Sequence, residues 1–286
     1  MQRINIKNSW LPYIMVLPVF LLICIFKIAP IANCLVQSFL RRQGSGFTLE
    51  NYQLLFVDKT FWNSLWVTLK FNLITIPLQI IIAFVMALLV NSRVRGIEIF
   101  RTMLYLPFCV SITISTVLWE TMLNFNNGII NSLLGIFGIG RIGFLIDKRW
   151  ALLSIILICS WRGCAYWMMF FLAGLKGINS EIKEAAAIDG AGYFRTLFTI
   201  IIPLLKNTFF FVIIANTTAN FLLFAPVQIA TGGGPQGSTD LLMYEAYKSA
   251  FKYSNQQRES CIVTILLLII IVLYFIQQTA VKEKEA

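Results

Sequence analysis

The sequence contains no histidine, and only 13% of its 286 residues are charged. Histidine is the commonest metal ligand and the usual general acid or base, so many kinds of enzyme site lose their principal residue. The six cysteines lie in or beside apolar stretches without metal-ligand spacing, which favours free thiols over a metal site. We therefore expect no metal, no bound cofactor and no catalytic residue in this chain.

Dense runs of basic residues are also missing, although the net charge is +10. Lys and Arg are scattered through the polar connections without interleaved stacking aromatics, which argues against nucleic-acid binding. Charged residues make up about 25% of ordinary soluble domains, far more than here. With 58% hydrophobic residues and a mean hydropathy of +0.77, the chain is predicted to be an all-α integral membrane protein.

Six apolar segments are long enough to cross a bilayer as helices. The first follows a basic leader, as in a signal peptide, but its length and the lack of a small-residue cleavage site indicate a retained span. Lys70, inside the second, is expected to snorkel. A small excess of Lys and Arg on the side of the termini predicts that both termini are cytoplasmic. The segments cover about residues 10–40, 61–90, 102–122, 150–175, 203–228 and 260–278.

A polar interruption at about residues 176–202 separates the fourth and fifth spans. Residue preferences predict a short helix around residues 183–187 and a sharp turn at Gly190. A second helix follows and is expected to stop before Pro203, because the residue before a proline disfavours helical geometry. The segment thus predicts a helix, a bend and a return to the membrane.

The short helix in this interruption has features of a docking surface. The small side chains of residues 185–187 are expected to form a face that another surface can approach closely. Glu184 and Asp189 would fix the orientation of that surface by charge. The alternative is an amphipathic interfacial helix that only connects two spans.

This segment resembles the cytoplasmic EAA loop of permease subunits in binding-protein-dependent ABC importers. Three more motifs, within residues 47–52, 171–175 and 231–235, resemble the carbohydrate-uptake branch, the maltose and glycerol-3-phosphate permease type. The resemblance implies the type I ABC importer permease fold, with six transmembrane helices and one coupling loop in a single domain over residues 1–286. The residues that match the EAA loop, and would couple to the ATPase, are Glu184, Ala185, Ala186, Asp189, Gly190 and Pro203.

The resemblance also implies a function and a set of partners. The chain would form half of the translocation pathway for a sugar or oligosaccharide, beside a second permease subunit. Its EAA loop would sit in a cleft of a separate ATPase dimer that binds ATP and Mg and drives alternating access. The chain itself has no Gly-x-x-x-x-Gly-Lys-Ser/Thr loop for ATP. An extracytoplasmic binding protein would deliver the substrate, and the complex would lie in a bacterial or archaeal inner or plasma membrane.

The chain departs from the family pattern at two places. Asn179 stands where these permeases often have a proline, and residues 253–260 are polar where they often carry small residues. The second departure leaves the sugar class open. The glycines of residues 232–234 have no following Lys-Ser/Thr, so we interpret them as a flexible outer loop rather than a phosphate site.

Candidate pathway residues lie in the fourth and fifth spans. Arg162 is a charge within a span and is either a substrate contact or part of an ion pair with Glu120 or the partner permease. Aromatic rings beside it suit sugars but are also common packing residues. The amides of the fifth span either bind hydroxyl groups or hold a neighbouring helix. The candidates are Trp161, Arg162, Tyr166, Asn216 and Asn220.

Two alternative functions remain. An ATP-independent channel or secondary transporter for a small polar solute would be expected to show a selectivity filter or inverted repeats with several ionisable groups within the spans, and the sequence shows neither. A membrane enzyme would need paired carboxylates, metal ligands or an activated nucleophile, and no such set is present. An importer would copurify with an ATPase, whereas the alternatives need not.

Overall fold

A computed structural model describes residues 10–41, 46–92 and 94–282, and nearly all of these ranges is helical. The prediction of an all-α chain is confirmed. Three π-helical turns, Cys24–Ile28, Leu197–Ile201 and Lys248–Lys252, interrupt the α-helices. The α-helices are α1 (Leu11–Ile23), α2 (Ala29–Phe39), α3 (Glu50–Val57), α4 (Lys59–Val90), α5 (Ile97–Cys109), α6 (Ile112–Met122), α7 (Ile129–Ile136), α8 (Ala151–Lys176), α9 (Ser180–Ile188), α10 (Tyr193–Thr196), α11 (Ile202–Leu204), α12 (Lys206–Phe221), α13 (Ala225–Ala230), α14 (Leu242–Tyr247) and α15 (Gln256–Lys282).

Five helical segments among the described residues are long and apolar enough to cross a membrane. A sixth crossing is obtained when α5 and α6 are counted together, although their axes differ by 95°. The segment expected as one helix over about residues 102–122 is therefore two helices. The five segments are Tyr13–Phe39, Lys59–Val90, Ala151–Lys176, Lys206–Ala230 and Gln256–Thr279.

The bend between α5 and α6 has a local cause in the backbone. Val110 is extended, with ψ of 137°, and ends α5. Ser111 is also extended and begins α6 by accepting a hydrogen bond from the Ile114 N–H at 3.3 Å. A serine in this position is a typical helix N-cap, so the sequence encodes a new helix start within the apolar run.

The chain forms two compact units, and the first comprises Met1–Val57 with Ala246–Ile265. Asn51 of α3 donates hydrogen bonds to the carbonyls of Ser38 and Leu40 at 3.0 and 2.8 Å. The Tyr52 hydroxyl lies 2.8 Å from the Ser38 hydroxyl oxygen. These contacts satisfy backbone carbonyls at the end of α2, which explains the polar pair Asn51-Tyr52 beside an apolar span.

The second unit comprises Asp58–Glu245 with Leu266–Ala286, and its centre is the packing of α4 and α8. Ala83 and Ala87 of α4 are fully buried in this core. Phe84 of α4 packs edge-on against Phe171 of α8, with ring centroids 5.5 Å apart. Small residues next to aromatic rings allow close helix packing without voids. This core supports the helices on either side of α9.

The segment after α13 is compact rather than the flexible loop expected from its glycines. The Thr231 and Thr239 hydroxyl oxygens are 2.7 Å apart, and the Thr239 hydroxyl donates to the Gly234 carbonyl at 2.7 Å. Thr239 and Asp240 are buried. The glycines thus make a tight turn against polar side chains, because a packed turn needs positive φ angles such as the +58° of Gly232.

Candidate functional site

Helix α9 begins with a side-chain cap at Asn179. The Asn179 side-chain oxygen accepts a hydrogen bond from the Glu181 N–H at 3.2 Å. Its side-chain nitrogen donates to the Glu181 carboxylate at 3.0 Å. Asn179 therefore satisfies a free N–H at the helix start, so α9 begins normally although this position carries no proline.

The end of α9 is a Schellman turn at Gly190. The Ala191 N–H donates to the Ala186 carbonyl at 2.9 Å, and the Gly190 N–H donates to the Ala187 carbonyl at 3.1 Å. Gly190 has a φ of +72°, which is the left-handed geometry this turn requires. The sharp turn expected at Gly190 is therefore present, and α9 is terminated by its own backbone.

The three alanines of α9 do not share a face. Ala186 is 5% exposed and packs inward, whereas Ala185 and Ala187 are exposed. Successive helical residues are about 100° apart, so three in a row surround more than half of the helix. The predicted single face of small residues is thus wrong, and the outward surface of α9, which extends around most of the helix, carries Glu184, Ala185, Ala187 and Asp189.

Ile188 adds an apolar side chain to this outward surface. It is 86% exposed at the last position of α9. An isolated exposed isoleucine is common, but here it lies within one turn of two exposed carboxylates on a short, doubly capped helix. Ile188 was not predicted as a site residue, since it matches no motif position.

Glu184 lines a cavity of about 540 Å³ together with three basic side chains. Those side chains are Arg101 of α5, Lys176 of α8 and Lys183 of α9. The Arg101 guanidinium also donates to the Val90 carbonyl at the end of α4, at 3.0 Å. Three basic side chains therefore surround the Glu184 carboxylate at this cavity, and the exposed Asp189 lies at the C-terminal end of the helix.

Pro203 lies inside a helix rather than after one. The π-helical turn Leu197–Ile201 precedes it, with the Ile202 N–H bonded to the Leu197 carbonyl. The helical conformation then continues through Pro203 and ends at Leu204. The expected stop before Pro203 is wrong, because the wider π turn accommodates the proline ring. Pro203 shares an open apolar groove with Ile182 of α9.

A cavity of about 600 Å³ brings together four of the five candidate pathway residues. Arg162 and Tyr166 reach it from α8, and Asn216 and Asn220 reach it from α12. Trp161 does not line this cavity, and its ring instead packs edge-on against Trp119 of α6, with centroids 5.9 Å apart. The structure thus groups the polar candidates and separates one of the aromatic ones.

Arg162 contacts the bend between α5 and α6. Its Nε donates to the Val110 carbonyl at 3.0 Å, and its guanidinium carbon lies 4.6 Å from the centre of the Phe108 ring. The described partners are therefore a backbone carbonyl and an aromatic face, rather than Glu120. Non-helical backbone at membrane depth persists where protein groups satisfy it, which is what Arg162 does for Val110.

The amides in the cavity form a short chain of hydrogen bonds. Asn220 donates to the Asn216 side-chain oxygen at 2.7 Å and lies 3.3 Å from the Gln79 side-chain oxygen. Asn216 is 1% exposed, and its Nδ2 has no partner among the described residues. A buried donor without a partner is costly, which makes the Asn216 amide a candidate for binding a ligand oxygen.

Gln79 and Phe108 also line this cavity and were not among the candidates. A polar side chain such as Gln79 of α4 in an apolar span is itself a signal of a site. Phe108 stacks on Tyr166, with centroids 4.5 Å apart and planes at 21°. No local pattern marks Phe108, since its role depends on how α5 packs on α8.

Gly163 makes the approach of Gln79 possible. A Cβ atom at residue 163 would lie 2.7 Å from the Gln79 Nε2. Only glycine therefore lets the Gln79 side chain lie against α8.

Among the described residues, no group of three or more His, Cys, Asp or Glu side chains is placed to hold a metal ion.

A family model and a known relative both match this chain over most of its length. The family described as "Binding-protein-dependent transport system inner membrane component" matches residues 79–282. The chain is 34% identical over 257 residues to the "sn-glycerol-3-phosphate transport system permease protein UgpA" of Agrobacterium fabrum, covering 88% of this chain and 87% of that protein.

Two solved structures have the same fold. A chain of a bacterial ABC transporter "involved in the import of the acidic polysaccharide alginate" matches with a TM-score of 0.84, at 20% identity, over 98% of this chain and 97% of its own. A bacterial alginate ABC transporter "in complex with alginate pentasaccharide-bound periplasmic protein" matches with a TM-score of 0.85, at 22% identity, over 96% and 94%.

The resemblance to ABC importer permeases that the sequence motifs indicated is therefore confirmed. The family match covers well over half of the chain, and the relative is similar along nearly its whole length. The relative is named as a transport system permease protein. The chain belongs to the family of multi-pass inner membrane components of binding-protein-dependent transport systems.

Proposed function

We propose that this chain is one of two permease subunits of an ATP-driven importer and that α9 docks on a separate ATPase. The observation that carries the proposal is the construction of α9, a short helix capped at both ends with Glu184, Asp189 and Ile188 exposed. The family membership supports this role over an ATP-independent channel, a secondary transporter or a membrane enzyme.

The position of α9 in the chain explains how docking would drive transport. Helix α8 precedes it and carries Arg162, whereas α12 follows it and carries Asn216 and Asn220. A displacement of α9 therefore acts directly on the two helices that line the cavity. The segment between α9 and α12 is helical over Tyr193–Leu204, so it can transmit a displacement that a flexible loop would absorb.

The cavity suits a hydroxylated solute that carries an anionic group. Asn216, Asn220 and Gln79 offer amides for hydroxyl groups, and Arg162 offers the positive charge. A sugar phosphate or polyol phosphate has both kinds of group. The relative named as a permease for sn-glycerol-3-phosphate supports a solute of this class.

The family membership supports the proposed assembly. A second permease would complete the pathway, two ATPase copies would bind ATP and Mg, and an extracytoplasmic binding protein would deliver the solute. If α9 docks on the ATPase, the segment between α8 and α12 faces the cytoplasm. Both termini would lie on the same side. The complex would lie in the inner or plasma membrane of a bacterial or archaeal cell.

The docking proposal is tested by reversing one exposed charge on α9. Glu184→Lys is expected to reduce uptake by the assembled importer at least about tenfold, because it reverses a charge on the proposed docking surface. Solute uptake into cells or proteoliposomes is measured, with binding of solute to the binding protein as the check on delivery.

The matched control is Glu98→Lys, the same charge change in the first turn of α5. Glu98 is exposed and lies outside α9. Uptake by this variant should stay near that of the unmodified protein. Normal uptake by Glu184→Lys, or equal losses in both variants, would contradict docking through α9.

A further inference from the structure

Helix α7 lies in the connection between α6 and α8, which is at the opposite end of α8 from α9. The connection starts after the last residue of α6, Met122, and runs to the first residue of α8, Ala151. The connection therefore sits where the apolar helices leave the membrane, on the side of the membrane opposite the proposed ATPase.

One face of α7 and the residue after it is entirely apolar and exposed. Ile129, Leu133, Ile136 and Phe137 are between 52% and 79% exposed. At about 100° per residue, these four positions fall within about 100° of one another around the helix. An apolar arc of that width is typical of a helix that buries one side in another medium.

The opposite face of α7 is fixed to its own connection. Asn131 is 4% exposed, and its Nδ2 lies 3.2 Å from the Asn124 carbonyl and 3.0 Å from the Ile142 carbonyl. Its side-chain oxygen accepts a hydrogen bond from the Ile142 N–H at 2.9 Å. The connection is also tied to α8, because the Ser154 hydroxyl donates to the Phe144 carbonyl at 2.7 Å. The apolar face is thus held outward.

The surroundings of this face identify what covers it. Exposed apolar side chains also occur on the helices that precede and follow this connection, with Leu118 of α6 and Leu153 of α8. Trp150 is exposed at the start of α8, as expected of an aromatic residue at the membrane boundary. The face contains only hydrocarbon side chains, so it matches acyl chains, which form no hydrogen bonds.

Basic residues flank this face in the same connection. Arg141, Lys148 and Arg149 are all exposed, and the single acidic residue among the described residues of this connection, Asp147, accepts the Arg149 N–H at 2.9 Å. Basic residues beside an apolar helical face are the pattern of helices that lie in the headgroup region, where phosphates are the counter-charges.

We propose that α7 is an interfacial anchor whose apolar face lies in the outer leaflet of the bilayer, with Arg141, Lys148 and Arg149 at the level of the lipid phosphates. The anchor holds the connection between α6 and α8 at a fixed depth next to the cavity-lining helices. The ligand of this surface is a phospholipid, and the proposal is independent of which solute is transported.

The test is photocrosslinking from the apolar face in the assembled complex. The benzophenone amino acid p-benzoylphenylalanine is placed at residue 137, where it replaces a phenylalanine, and in a second variant at residue 133. The complex is held in nanodiscs of phosphatidylethanolamine and phosphatidylglycerol in equal parts, irradiated in the presence of the binding protein, and analysed by mass spectrometry. We expect phospholipid adducts at both residues.

The matched control carries the same amino acid at Asn127, an exposed polar residue just before α7. It should give no lipid adduct or at least about tenfold less. Adducts from residue 137 to the binding protein or to another subunit, equal lipid labelling from residue 127, or no adduct at residues 133 and 137 would each overturn the proposal. Solute uptake and ATPase copurification are separate readouts, so a failure here is distinguishable from a failure of the proposed function.

Discussion

At the scale of single residues, Gly190 carries a conformational requirement that no other residue type meets without strain. Its φ of +72° closes the Schellman turn at the end of α9, while a Cβ atom there would meet nothing within 4 Å. A substitution therefore acts through the backbone alone. Left-handed geometry costs an ordinary residue about 1–2 kcal/mol, a factor of about 5–30 in a local opening equilibrium.

Gly190→Ala is expected to raise amide hydrogen exchange at Gly190 and Ala191 by about 5–30-fold and to lower solute uptake. Gly192→Ala is the matched control, because Gly192 has an ordinary φ of −66° and open space for a Cβ atom. Exchange should be unchanged in the control. Equal effects of the two substitutions would show that the turn at Gly190 is not what holds the end of α9.

The residue scale also shows how far the sequence identifies the site. The turn at Gly190 and the polar character of Arg162, Asn216 and Asn220 are visible in the sequence, because glycine and polar groups in apolar surroundings are rare and carry meaning individually. Phe108 has no such signal. Its place beside Arg162 depends on the packing of α5 on α8, which is a non-local property.

At the scale of elements, the cavity depends on how closely α4 and α8 approach at Gly163. A Cβ atom at residue 163 would lie 2.7 Å from Gln79 Nε2, so Gly163→Ala must displace the Gln79 side chain from Asn220. We expect a KM for solute uptake raised about three- to tenfold with the amount of assembled complex little changed. Loss of one hydrogen bond of about 1 kcal/mol accounts for this size.

Two comparisons separate binding from packing in this prediction. Gly135→Ala is a control for an added methyl group in a helix, since nothing lies within 4 Å of its Cβ position. The double variant Gly163→Ala with Gln79→Ala removes the clash but also the amide, so KM should stay high. Recovery of KM in the double variant would mean that Gln79 does not take part in binding.

Elements were predicted unevenly from the sequence, for identifiable reasons. Long apolar runs such as that of α4 locate helices well, because a bilayer requires about 20 apolar residues per crossing. The bend at Val110 was missed because apolar content continues through it, and only Ser111 marks the new helix start. The stop expected at Pro203 is not found, since a π turn changes the local geometry in a way that residue preferences do not describe.

At the scale of the whole molecule, α9 connects two surfaces with different tasks. The first is the exposed surface of α9 itself, which is proposed to dock on the ATPase. The second is the cavity lined by α8 and α12, the two helices that α9 joins. The proposed importer needs an ATPase, and because the sequence has no Gly-x-x-x-x-Gly-Lys-Ser/Thr loop, we propose that a separate subunit hydrolyses ATP. The central claim is therefore that this permease is held to an ATPase through α9.

The most direct measurement is copurification. The chain is expressed with its genomic neighbours, purified through a tag in mild detergent, and the bound proteins are identified and quantified by mass spectrometry, in parallel for the unmodified protein and for Glu184→Lys. The account predicts that the unmodified chain retains an ATPase and a second permease, and that Glu184→Lys retains the second permease while losing most of the ATPase. Recovery of the unmodified chain alone, under conditions that keep control membrane complexes intact, would contradict it.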